Sequence, residues 1–189
     1  MGGPKALLLA FGATLVEAHV SRLAARGYAA VVVVRAEIAP IVGRLVADRP
    51  GCRVAPSDGE DTAASLAYGV AALPRDGVER VLVTPVDAHP VTDRTLDALE
   101  GAIAAGRLAA TPRFEADGGR GRGGHPVVCR PAVLAPYLTA RPPPPLRDVL
   151  RALGADHARV TVDDPCIFQD LDRPEDVAAL TGAPPAFFR

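Results

Sequence analysis

"YAAVVVV" (28–34) is the stretch on which the fold turns. A continuous β-branched run, without apolar–polar alternation, reads as a strand covered on both faces. Upstream of it, Thr14 and Glu17 stand at capping-box spacing. Leu15, Val16, Val20 and Leu23 then recur near helical spacing, and Gly27 supplies a stop, so a helix over Thr14–Arg26 leads into the strand. Downstream, Ile38, Ile41, Val42, Leu45 and Val46 predict a helix that Pro50-Gly51 ends, and "CRVA" (52–55) is a short strand.

The alternation continues. Leu66, Val70 and Leu73 share a helical face after Asp61, and "RVLVTPVD" (80–87) is another buried strand, running into a loop at Pro85. Thr92 caps a helix bearing Leu96, Leu99 and Ile103 that stops at Gly106. "LAATP" (108–112) and "HPVVC" (125–129) bracket a glycine-rich insertion, and Pro142–Pro145 form a stiff extended spacer. A helix at 146–153, the strand "RVTV" (159–162) and a helix opening at Pro174 follow. Strand–helix alternation of this kind predicts a three-layer α/β domain with a mostly parallel sheet. No internal repeat and no domain boundary is legible, so 1–189 reads as a single domain. "ALLLAF" (6–11), read alone, is a further good strand.

The 49% hydrophobic content is globular, and the formal net charge of -1 argues against a general polyanion binder. With 4% aromatics and no Trp, stacking platforms for single-stranded nucleic acid are not expected. Cys52, Cys129 and Cys166 are scattered and odd in number, which favours reduced thiols over a disulfide framework or a zinc site. No apolar run approaches a membrane span and no signal peptide is evident, so the cytoplasm is the expected compartment.

In parallel α/β sheets ligands sit at the carboxyl ends of the strands, so residues just after strands carry the chemistry. In "VLVTPVDAHP" (81–90) a strand delivers Asp87, followed by His89. A carboxylate there can hold Mg²⁺, a hard cation that takes one or two carboxylates plus phosphate oxygens, or it can simply cap a turn. In "QDLDRPEDVAAL" (169–180), Glu175 and Asp176 complement the dipole of a helix opening at Pro174. Asp172 is less well explained that way, since Arg173 holds the cap position, and it is a candidate second metal ligand. In "DGGRGRGGHPVV" (117–128), Arg120 and Arg122 read best as solvated, whereas His125 before Pro126 is either a packed histidine or a ligand contact. Lys5, after Gly2, Gly3 and Pro4, can reach a phosphate as a point charge. No G-x-G-x-x-G stands between a strand and a helix, which ranks a nicotinamide or flavin site low.

Six segments, "MGGPKALL", "TLVEAHV", "SLAYG", "PVDAHP", "GGHPVV" and "DDPCIFQDLDRPEDVAAL", in that order, resemble the MobA-like nucleotidyltransferases. The nearest branch is that of the molybdenum-cofactor cytidylyltransferase-like proteins. The resemblance implies a Rossmann-like α/β/α sandwich and Mg²⁺-dependent transfer of a nucleotidyl group from an NTP, CTP or GTP, to a phosphorylated small-molecule acceptor, with release of pyrophosphate. It places Gly2, Gly3 and Lys5 at the triphosphate, Ser65 and Gly69 beside the base, Asp87 and Asp172 on the metal, and His89 and His125 towards the acceptor. In the family a strand and a LAAGxxxR-like loop precede the segment matching MGGPK, so the resemblance implies that Met1 is internal to a longer chain, or that this member is catalytically impaired and acts as a nucleotide-binding accessory protein. "DAHP" departs from the Gln-Pro pair that follows the metal Asp in the cytidylyltransferase branch, which leaves the acceptor open, molybdopterin included.

Overall fold

The computed structural model describes residues 2–10, 12–115 and 122–188. The chain divides into two compact units, Met1–Leu73 with Leu171–Arg189, and Pro74–Asp170. The sequence carries no linker that would mark this division, because the first unit is closed by the returning end of the chain.

In the first unit a 3₁₀ turn at Lys5–Leu7 leads to β1 (Leu9–Ala10), which pairs antiparallel with β2 (Ala13–Thr14). "ALLLAF" is thus part turn and part short strand, and Phe11 lies outside the described residues. Helix α1 (Leu15–Ala25) starts as its sequence dictates. The Thr14 amide donates to the Glu17 carboxylate at 3.0 Å and the Glu17 amide donates to the Thr14 hydroxyl at 3.3 Å. Two donors that a helix start leaves orphaned are satisfied reciprocally. Strand β3 (Ala30–Arg35), helix α2 (Ala39–Leu45), strand β4 (Cys52–Ser57) and helix α3 (Thr62–Ala71) follow, with β3 and β4 parallel and in register from Ala30–Cys52 to Arg35–Ser57.

The second unit holds β5 (Val81–Val83), α4 (Asp93–Ala104), β6 (Ala109–Phe114), β7 (Arg122–Gly123), β8 (Val127–Cys129), α5 (Pro136–Thr139), α6 (Leu146–Ala152) and β9 (His157–Thr161). Helix α7 (Pro174–Thr181) then returns to the first unit.

The α/β layering matches expectation, but the sheets are small and mixed. Strand β8 lies between β5 and β6 and opposes both, while β6 pairs parallel with β9. Strands β5, β6 and β9 therefore run one way with β8 against them. Only residues 115–126 separate β6 from β8, and antiparallel neighbours need no crossover helix between them. The four-valine run also differs from expectation, since only Val34 is buried and Ala30 to Val33 are half-buried. Among the described residues β3 pairs with β4 along one edge alone. The core of the second unit is built from Leu99 and Ile103 of α4 packed on Ala110 of β6 and Val128 of β8, each at most 5% exposed.

One buried charge ties this unit together. Asp164 is 2% exposed. It accepts from the Thr92 amide at 2.7 Å, the Thr92 hydroxyl at 2.9 Å, the Thr95 hydroxyl at 2.7 Å and the Cys166 amide at 3.1 Å. Its carboxylate thus fastens the start of α4 to the 3₁₀ turn Pro165–Phe168. Burial pushes the carboxyl up, but the four donors favour the charged form more strongly and hold it below the usual carboxylate range. A depressed folded-state value gives stability that is present above the unfolded value of about 3.9 and is lost as pH falls through the folded value. Asp164→Ala is expected to lower the unfolding free energy at neutral pH by about 3 kcal/mol, because buried donors lose their acceptor. Urea titrations across acidic pH should show a smaller acid-dependent loss in the variant than in the wild type; equal stability at neutral pH would refute the anchor.

Candidate functional site

Because β5 and β9 run the same way, the segments that leave their carboxyl ends emerge at one edge of the second unit's sheet. Asp87 stands in the turn after β5 and is half-buried. The next residue, Ala88, is bridged antiparallel to Asp170, and the His89 amide donates to the Gln169 carbonyl at 2.8 Å. The segment after β9 therefore lies alongside the segment after β5. It also holds the segment before β8: the His125 amide donates to the Ile167 carbonyl at 2.7 Å. A Cβ on Gly124 would sit 1.7 Å from that same carbonyl oxygen. Glycine is required at 124 by this close approach to backbone, not by an unusual φ.

The strap Pro165–Asp170 accordingly lies beside both loops. Of the candidates, Asp87 and His125 are brought together, with Asp170 as a third member. Desolvation pushes the His125 imidazole below its ordinary pKa, while the carboxylates of Asp170 and Asp87 push it back up. The imidazole is thus held towards its neutral form, and its Nδ1 is buried with no hydrogen-bond partner among the described residues. The His89 ring places its Nδ1 3.1 Å from the Pro90 carbonyl oxygen. Arg120 and the side chain of Arg122 lie outside the described residues.

In the first unit, Lys5 and Asp172 meet as an ion pair at 2.5 Å, with side-chain exposures of 30% and 62%. Asp172 is placed by the start of α7, where the Asp176 carboxylate accepts from the amides of Asp172 and Arg173 at 3.2 and 2.8 Å. That cap accounts for Asp176 as a helix-start residue and leaves the Asp172 side chain turned to Lys5. Gly2 has a positive φ of 86° and open space around it, whereas Gly3 packs against the Phe187 ring. Ser65 sits in the first turn of α3, its amide donating to the Asp61 carbonyl at 3.0 Å. Gly69 faces β3 so closely that a Cβ would lie 2.9 Å from Val33 Cγ2. Close packing of α3 on the sheet is therefore sufficient reason for that glycine.

Sequence reasoning singled out neither Asp164 nor Asp170, since aspartates in a loop look alike until their partners are known. It also passed over a readable signal: Lys5 is the single lysine among 21 Lys and Arg residues. Among the described residues no group of three or more His, Cys, Asp or Glu side chains converges as a metal cage. Carboxylates in ones and twos suit Mg²⁺ or Mn²⁺, which complete their shells with water and phosphate oxygens, better than zinc, which wants a closed nitrogen and sulfur set. The chemistry of Asp87 and Asp172 fits the former.

Gly124→Ala is expected to cost about 2 kcal/mol, because the added carbon forces the strap off the loop. Thermal denaturation would measure this, and hydrogen exchange should show the His125 amide deprotected; an unaltered His125 amide would show that the strap does not hold this loop.

Comparison with known proteins agrees with this architecture. The MobA-like NTP transferase domain family matches residues 1–160. No curated protein matches the sequence significantly. Among solved structures, 4-diphosphocytidyl-2C-methyl-D-erythritol synthase from Anaerococcus prevotii superposes with a TM-score of 0.77 at 11% identity, covering 95% of this chain and 93% of that one. Rv0371c from Mycobacterium tuberculosis gives 0.71 at 21% identity, covering 97% and 91%. Its complex with manganese gives 0.69 at 22% identity, covering 96% and 94%. At these identities the likeness is one of fold. No helix among the described residues is long and apolar enough to cross a membrane. With the family model matching residues 1–160, the chain belongs to the MobA-like NTP transferase domain family and is a nucleotidyltransferase.

Proposed function

We propose that the protein transfers a nucleotidyl group from an NTP, with CTP preferred, to a phosphorylated small molecule and releases pyrophosphate. The observation that carries this reading is the pair of loops leaving the carboxyl ends of β5 and β9, where Asp87 stands near the half-buried His125 imidazole. In-line displacement at the α-phosphorus needs positioning and charge neutralisation more than covalent help from the protein. Lys5 neutralises triphosphate charge, with Gly2 and Gly3 allowing backbone approach and Ser65 lying towards the base. Asp87 and Asp172 are the carboxylates that would serve as ligands of a divalent ion, Mg²⁺ in the first instance; the manganese complex of Rv0371c supports a divalent ion in a protein of this fold. A bound Mg²⁺ supplies positive charge to the phosphate oxygens. His125 and His89 face the acceptor. Preference for CTP draws support from the diphosphocytidyl product in the name of the erythritol synthase neighbour. The acceptor is a phosphorylated small molecule, of which a molybdopterin-type cofactor is one instance.

Isothermal titration of CTP and GTP, with and without Mg²⁺, is the test. Binding should require Mg²⁺, and Asp87→Asn should weaken it by about tenfold or more, the loss of one charge-assisted interaction. Magnesium-independent binding would remove the metal assignment, and absence of binding to any NTP would remove the reading. Binding without pyrophosphate release in the presence of phosphorylated acceptors would point instead to a nucleotide-binding accessory role.

A further inference from the structure

The last described residues of the chain are not a loose tail. The Leu9 amide donates to the Ala186 carbonyl at 2.8 Å, the Phe188 amide donates to the Leu7 carbonyl at 2.9 Å, and Leu8 and Phe187 form the bridge between them. Residues 186–188 therefore add a strand-like edge to the segment that follows Lys5. The Phe187 ring meanwhile covers Gly3 so closely that a Cβ there would lie 2.8 Å from the ring. Phe187 thus touches the chain on both sides of Lys5, at Gly3 before it and at Leu8 after it. The ammonium itself is met by Asp172, from the same returning segment. Backbone on either side and the charge at the tip thus each meet a residue of the returning segment 172–188.

A lone lysine side chain has four rotatable bonds, and an exposed ion pair is by itself a weak restraint. The backbone clamp is what makes the position of Lys5 definite. We propose that Phe187 is the positioning residue for Lys5, its ring on Gly3 and its pairing with Leu8 setting where the chain's single lysine presents its charge. The proposal rests on the reading above only for what Lys5 is positioned towards.

The single lysine makes the test clean. Amine acylation of the full chain is followed by mass spectrometry, with the α-amine as internal reference. In the wild type the Lys5 ammonium is held by Asp172 and reacts slowly. Phe187→Ala should raise its rate about fivefold or more, as local opening of a clamp does. Gly3→Ala, which drives a carbon into the ring while leaving Phe187 present, should do the same; Phe187→Met, which keeps the apolar bulk, should stay near the wild-type rate. Circular dichroism melts identify any variant that has lost its fold, in which case the other decides. Wild-type rates in both Phe187→Ala and Gly3→Ala would overturn the proposal. Saturating CTP with Mg²⁺ forms the second arm. If it slows acylation of the wild type, Lys5 serves the nucleotide, and Phe187→Ala should then raise the nucleotide Kd. If it has no effect while Phe187→Ala still accelerates acylation, the positioning stands and the phosphate role of Lys5 falls.

Discussion

The second unit depends on a buried carboxylate that is fully employed. Burying an aspartate costs several kcal/mol unless its oxygens are paired. Asp164 meets that condition with two amides and two hydroxyls, all neutral donors. Removing it would strand Thr92, Thr95 and Cys166, and it would free the strap that runs on to Asp170. That strap is the common neighbour of Asp87 and His125, so a buried structural anchor governs the geometry of two residues of the candidate site.

The same logic recurs in the first unit in a weaker form. There the position of a charged side chain is set by main-chain pairing and an aromatic ring on a glycine, while the ion pair with Asp172 is partly exposed and contributes little alone. In both units a segment bearing candidate site residues is held by backbone carbonyls and amides of a segment distant in sequence. Backbone donors suit this work because their direction is fixed by the chain, whereas a long side chain would spend entropy to be held. The loops at strand ends can then differ in side chains while the frame is kept, which is how a shared fold carries different acceptors.

Local rules were legible. The Thr14–Glu17 box, the Thr92 cap and the Pro174 helix start all stand where the residues place them, since each is decided within four positions of chain. Asp87 and Asp172 could be singled out because strand ends and helix starts are local events too. The packing of Gly69 lay beyond such local rules: its neighbour Val33 is far away in sequence, and close packing leaves no mark on the glycine itself.

By itself, then, the order of residues determined the alternation of strands and helices, the family, and the acids and histidines that end up on loops. Tertiary structure alone decided that β8 runs against its neighbours, that Asp164 is buried and Asp172 is not, and that Phe187 closes over Gly3. The physical reason is range. Propensity, capping and periodicity act over a turn of helix or a few strand residues, while burial and pairing depend on which distant segment arrives to supply the partner.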